Sequence, residues 1–300
     1  RASRCGTALT LTDPDRMEFP AFAPRCPEGA LEIELTVAPC QTDPSGRMTP
    51  QAVAGVMEAV FREQMEACGW GRETVERTNV TWVVGWTSIL IRRPPRAGEK
   101  LMVRIWPGRK KLAMHVRKYA FFSENGEALV SAAVLLLAMD RRSRKLTMAA
   151  ERLHLPEVVI PGEAAVPELR VDFPGELPHQ RTRKVQSHEI DENGHMNNTC
   201  YLEWVNSLCG EDWLGQHEPQ SIWVQYLNEL TVGQAVKLEH VTQGQRLYVR
   251  GTTNGSTAFL AVIQYASCGS PVNGQDCLQH LNSPRDRTNQ DIFERSGREV

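Results

Sequence analysis

The sequence predicts an α+β protein of two tandem domains, each a long central helix wrapped by a curved antiparallel β-sheet. Three observations lead there: a turn motif occurs twice, each copy opens an apolar segment of helical spacing, and each such segment precedes a set of β-type runs. At Asp43 the chain reads Asp-Pro-Ser-Gly-Arg-Met-Thr-Pro, and at Asp191 it reads Asp-Glu-Asn-Gly-His-Met-Asn-Asn. Asp, Gly and Met coincide at an offset of 148 residues (43 to 191).

After the first copy, Val53, Val56, Met57, Val60, Phe61 and Met65 recur at helical spacing, with Gly69 and Gly71 as stop signals. After the second, Tyr201, Leu202, Val205 and Leu208 repeat the pattern and end near Gly210. The first helix leads into expected strands at 80–92, 100–106, 114–123 and 129–139; the second leads into 222–230, 235–243, 247–253 and 257–266. Glu124-Asn125-Gly126 and Thr253-Asn254-Gly255-Ser256 are turns within the two sets. The domains are placed at 28–155 and 179–269, joined by a linker at 156–178 that holds five prolines. Residues 1–27 form an extension, and the polar stretch 270–300 is expected to be a disordered tail.

Composition narrows the function classes. Apolar residues at 41% and charged ones at 23% describe a globular chain, and a formal charge of −2 gives no global field for nucleic acid or a membrane surface. No apolar run is long enough for a membrane-spanning helix, and residues 1–27 lack the apolar core of a secretory signal. Eight cysteines without a CxxC pair suggest free thiols in a reducing compartment, not a zinc site or a disulfide framework.

The stretch from His188 to Trp204 sets Asp191, Asn193 and His195 on a turn that enters a helix. A helix N-terminus carries unpaired N–H groups and partial positive charge, which suit the oxyanion of acyl transfer. An imidazole beside a carboxylate moves protons at neutral pH, and an asparagine both donates and accepts. A purely structural role stays open at this point: Asp191 and Asn193 could build the turn, and Asn197 or Asn198 could cap the helix. A calcium loop is excluded, because Met196 stands where it needs Gly and Leu202 where it needs Glu.

The segment Asp191–Trp204 resembles the active-site signature of acyl-acyl carrier protein (ACP) thioesterases, Asp-x-Asn-x-His-x-Asn-Asn followed by a Tyr-containing helix. In that family a catalytic glutamate lies on a later strand, and Tyr226-Leu-Asn-Glu229-Leu230 stands at the corresponding place. Leu230 replaces the cysteine of the plant-type pattern, which argues against a thiol mechanism. The likeness extends over residues 31–265 through Trp82-Val-Val, Arg92-Arg-Pro-Pro, Gly98-Glu and Val103-Arg-Ile-Trp106.

The resemblance implies two tandem hot-dog domains and hydrolysis of fatty acyl-ACP in fatty acid biosynthesis, with Asp191, Asn193, His195 and Glu229 catalytic. Ser45 and Arg47 replace Asn193 and His195 in the first copy, so only the second half is expected to be catalytic. Met57, Phe61 and Met65 are expected to border an acyl tunnel, although their spacing equally suits ordinary core. Asn197 and Asn198 are expected to touch substrate. Arg92, Arg93, Arg96, Arg109, Lys110 and Lys111, within a basic cluster that also holds Arg104, Arg117 and Lys118, are expected to dock the acidic carrier. No cofactor, metal or nucleic acid is implied; the partner is acyl carrier protein, with homodimerisation allowed for. The implied compartment is cytoplasm, or plastid stroma in a photosynthetic eukaryote. An acyl-coenzyme A thioesterase of the same fold and a non-catalytic acyl- or carrier-binding protein are the alternatives. A hot-dog hydratase fits less well, since Gly194 replaces its proline and His195 comes one residue early.

Overall fold

The computed structural model describes residue 26 and residues 29–111, 113–147 and 173–268, with backbone alone at 109–111. Most of the expected extension and of the linker, and the polar tail 270–300, lie outside the described residues. In chain order the elements are β1 (Leu31–Thr36), α1 (Pro50–Ala67), α2 (Arg72–Thr78), β2 (Val80–Ile91), β3 (Lys100–Lys111), β4 (Met114–Ser123) and β5 (Ala128–Asp140). Then follow β6 (His179–Lys184), α3 (Asn198–Asn206), α4 (Glu211–Gln216), β7 (His217–Tyr226), β8 (Ala235–Gln243), β9 (Arg246–Thr253) and β10 (Ser256–Ser267).

The repeat is visible in the sheet, whose order is β1-β3-β4-β5-β2-β7-β10-β9-β8-β6. Each half contributes five strands in the same internal order. Antiparallel pairing of β2 with β7, from Trp86↔Gln225 to Leu90↔Ser221, joins the halves into one sheet. Nothing in the strand periodicities announces this seam.

Helix α1 starts where Thr49 accepts a hydrogen bond from the Ala52 N–H and Pro50 occupies the first turn. Its stripe of Val53, Val56, Met57 and Val60 is buried. Helix α3 starts at Asn197, whose side chain accepts from the Thr199 N–H. Tyr201, Leu202 and Val205 join the α1 stripe and sheet residues such as Ile89, Phe121, Ile222 and Val224 in one core cluster. Burial of each such side chain stabilises by roughly 1.5–3 kcal/mol, which presses both helices side by side against the same sheet face.

Two strand boundaries differ from the sequence reading. Strand β3 continues to Lys111 past Pro107, because its register with β4 shifts between Pro107 and Lys110, and a bulge tolerates proline. Strand β7 begins at His217 and stops at Tyr226, so Glu229 sits in the loop beyond it instead of on the strand. The cause is local: the Leu227 and Asn228 N–H groups both donate to the Ala258 carbonyl, at 2.8 and 3.0 Å, and the chain leaves the ladder. Helices α2 and α4 are additions that the sequence patterns did not mark. None of the described helices is long and apolar enough to cross a membrane.

In the first copy of the turn, Arg47 is buried at 6% exposure. Its Nε donates to Asp43 at 2.8 Å, and its other nitrogens reach across to the Leu214 carbonyl at 2.7 Å and Glu218 at 3.4 Å. Breaking a buried pair costs ~3–5 kcal/mol, and partial exposure of Asp43 and Glu218 lowers the figure. Arg47→Met is therefore expected to lose about 2 kcal/mol in denaturant unfolding. Unchanged stability would show that this crossing contact contributes nothing to holding the halves together.

Candidate active site

Both copies of the turn are built alike. Asp191 Oδ1 accepts from the Asn193 N–H at 2.8 Å and the His195 N–H at 3.3 Å. Asp43 Oδ1 does the same for Ser45 at 2.9 Å and Arg47 at 3.0 Å. Gly46 and Gly194 adopt φ +74° and +83°, where a side chain would be strained. The shared Asp and Gly thus build the turn, and the two copies differ at the positions expected to carry chemistry.

A second pair of contacts aligns the loops that face these turns. The Met196 N–H donates to the Leu230 carbonyl and the Met48 N–H to the Pro95 carbonyl, each at 2.7 Å. Leu230 therefore matches Pro95, and Glu229 matches Pro94. The first half lacks the carboxylate as well as the imidazole.

In the second half, His195 Nε2 lies 3.0 Å from Glu229 Oε2. An ionised carboxylate only accepts, so this partner assigns the imidazole proton to Nε2. The same Glu229 oxygen accepts from Arg144 of the first half. Arg144 was not identified from the sequence. It sits on a turn in which Asp140 accepts from the N–H groups of Arg142 (3.1 Å) and Ser143 (2.8 Å) and from the Asn79 side chain (2.8 Å). Hydrogen bonds from Ser143 foremost hold the Asp140 carboxyl below its ordinary range. Arg144 itself has φ +59°, uncommon for a side-chain-bearing residue. The run Asp140-Arg-Arg-Ser-Arg-Lys reads as a solvated surface turn, and only the β2–β7 seam carries it to the second half's site.

The remaining expected residues divide. Asn193 is exposed, and its side-chain amide folds back onto Asp191 Oδ2 at 3.4 Å, without contacting His195 or Glu229. Asn197 is engaged as the α3 cap and also donates to Glu58 of α1 at 2.9 Å. Arg62 bridges Glu58 at 2.8 Å and Glu192 at 2.7 Å, tying α1 to the turn. The Asn198 carbonyl accepts from the Tyr226 hydroxyl at 3.2 Å. Burial pushes the Tyr226 phenol up, so it stays a donor at neutral pH. The Asn198 N–H, first in α3, has no intrahelical acceptor by its position. Beneath the turn, buried Glu189 accepts from Trp204 Nε1 at 2.6 Å and anchors α3 to the loop before it.

Met57 and Met65 are buried in the first half, and Phe61 is partly so. Of the basic cluster, Arg92 and Arg96 are exposed, and Arg93 pairs with Glu99 at 2.8 Å and Glu127 at 3.3 Å. Arg104 and Arg117 are buried, which removes both from any docking face; Arg104 pairs with Glu32 on the neighbouring strand. The side chains of Arg109, Lys110 and Lys111 lie outside the described residues. Among the described residues no group of His, Cys, Asp and Glu is placed to hold a metal ion.

Comparison with known proteins agrees with this architecture. The model of the acyl-ACP thioesterase N-terminal domain matches residues 32–154, and that of the C-terminal domain matches residues 176–268. A chloroplastic dodecanoyl-[acyl-carrier-protein] hydrolase of Cinnamomum camphora is 23% identical over 169 residues, 53% of this chain and 44% of that protein. The matched part thus spans less than half of that relative's length. Two solved structures share the fold: a 12:0-ACP thioesterase from Umbellularia californica and an acyl-ACP thioesterase from Bacteroides thetaiotaomicron. The first has a TM-score of 0.72 at 17% identity, covering 81% of this chain and 99% of that one. The second has 0.67 at 18%, covering 79% and 98%. With both domain models matched in order along most of its length, the chain belongs to the acyl-ACP thioesterase family.

Proposed function

We propose that this protein hydrolyses fatty acyl thioesters of acyl carrier protein to free fatty acid and carrier. The observation that carries the proposal is the contact of His195 with Glu229 beside the head of α3, found in the second half alone. Glu229, a carboxylate that accepts from His195 and Arg144, takes a proton from water as that water attacks the thioester carbonyl. The Asn198 N–H at the start of α3 donates to the oxyanion that forms. Collapse of the tetrahedral intermediate breaks the C–S bond, and the departing thiolate takes up the proton held at Glu229. Asp191 fixes the turn that aims His195, and Asn193 faces solvent where the thioester would enter.

Glu229→Gln and His195→Ala are each expected to lower turnover by at least ~10²-fold, the scale of positioned acid–base groups. Ser45→Ala is expected to change turnover little, with folding checked in parallel by thermal unfolding. A folded Glu229→Gln protein with near-normal turnover would remove Glu229 from the mechanism.

Arg144 acts through Glu229 in this reading. Arg144→Met is expected to cut kcat about 10-fold with a smaller change in KM, and Arg144→Lys to recover part of the loss, because a charge near the carboxylate is kept. Equal kcat in the methionine variant would contradict the role.

The carrier is read from charge. Arg92 and Arg96 are exposed on the first half, and an acidic carrier suits them. Hydrolysis of carrier-protein thioesters is expected to exceed that of matched coenzyme A thioesters at low salt. The advantage should shrink as salt rises, since exposed charges are screened beyond ~10 Å at 0.1 M. Equal rates on both carriers at low salt would favour an acyl-coenzyme A thioesterase of the same fold.

A further inference from the structure

Among the described residues, Arg117 on β4 is a cation without an anion. Its side chain is 1% exposed, and its Nε has no hydrogen-bond partner. Its other nitrogens reach only the Val116 carbonyl at 3.5 Å and the Met65 sulfur at 3.8 Å. No carboxylate among the described residues pairs with it. Burial lowers its pKa, opposed by Tyr119 and Cys68. An unpaired buried charge is among the most expensive features a protein can carry.

The surroundings are polar in a layer that is otherwise apolar. Arg117 lies between Tyr119 and His115 on the face of β4 that meets α1, and Trp82 of β2 packs edge-on against His115 with ring centroids 4.8 Å apart. Trp82 Nε1 and Gln64 Oε1 are buried without partners among the described residues. Phe61, Trp82 and Val84, which border this layer, keep partial solvent access, whereas Val60, Ile89 and Leu136 are closed. The layer also connects to the site described above. Arg117 pairs with Val134, Val134 with Thr87 and Thr87 with Val224, one row across four strands. Tyr226 hydrogen-bonds to Thr87 and donates to the Asn198 carbonyl at the head of α3. Three strand spacings place Arg117 ~14 Å along the sheet from β7.

With the acyl chain expected to run under α1 in the first half, we infer that Arg117 selects chains whose far end is a carboxylate. Trp82 Nε1 is a further donor for that carboxylate. This rests on the thioesterase reading for the route by which the chain arrives. A methyl-ended chain reaching the same place leaves the guanidinium unpaired, and a site built around a buried polar group discriminates strongly against a ligand that cannot meet it. At ~1.2 Å per bond of extended chain, the row length corresponds to about twelve bonds.

The test compares kcat/KM for methyl-ended and ω-carboxy acyl thioesters of matched length, about eight to sixteen carbons, on the same carrier. Wild type is expected to prefer the carboxy-ended substrate by at least ~10-fold near the length set by the row. Arg117→Met is expected to reverse that preference. A wild-type preference for methyl-ended chains that Arg117→Met leaves unchanged would overturn the inference. A second readout needs no turnover: thermal shifts with free dicarboxylic and monocarboxylic acids of the same length. The diacid is expected to stabilise wild type more than the monoacid, and Arg117→Met is expected to abolish the difference. Equal shifts in wild type would overturn the site even in an active enzyme. A diacid-specific shift without hydrolysis of any thioester would uphold the site and defeat the thioesterase reading alone.

Discussion

Pairing of β2 with β7 fuses two five-stranded sheets, and both the core and the site follow from it. Without that seam each half would carry one helix on a small sheet with an open edge. With it, α1 and α3 lie together on one face and bury a common core. The seam also brings each turn within reach of the opposite half. Arg47 of the first half contacts Leu214 and Glu218 of the second, while Glu229 of the second contacts Arg144 of the first.

The two turns show how a duplicated element separates structure from chemistry. Aspartate and glycine recur because the backbone needs a carboxylate acceptor and a left-handed residue at those places. Where the copies differ, the consequences are physical. An arginine at position 47 pairs with Asp43 of its own turn and is long enough to cross the seam to Glu218, so it is buried and structural. A histidine at 195 is shorter and meets the carboxylate of the facing loop. Pro94 in place of that carboxylate leaves the first turn without a facing acid.

Much of this was legible in the sequence, because repeats, helical stripes and turn residues are local signals. The 148-residue offset located both turns, and the apolar spacing located α1 and α3. What the sequence could not carry depended on contacts across the seam. The end of β7 at Tyr226 is set by two N–H groups turning to Ala258, so Glu229 moves from strand to loop. Nothing in the sequence marks Arg144 for the site, and Arg104 and Arg117 fall within the basic cluster expected to dock the carrier although both are buried. Charge composition alone does not distinguish an exposed guanidinium from one enclosed between a helix and a sheet.

The most direct measurement is a crystal structure of folded Glu229→Gln protein with an acyl-phosphopantetheine amide, an unhydrolysed stand-in for the thioester. The amide carbonyl is expected within hydrogen-bond distance of the Asn198 N–H, with its carbon facing His195 and position 229 and the acyl chain running under α1. A carbonyl seated at the first turn beside Ser45 and Arg47, or an acyl chain that never enters the first half, would contradict a single reaction centre assembled from both halves.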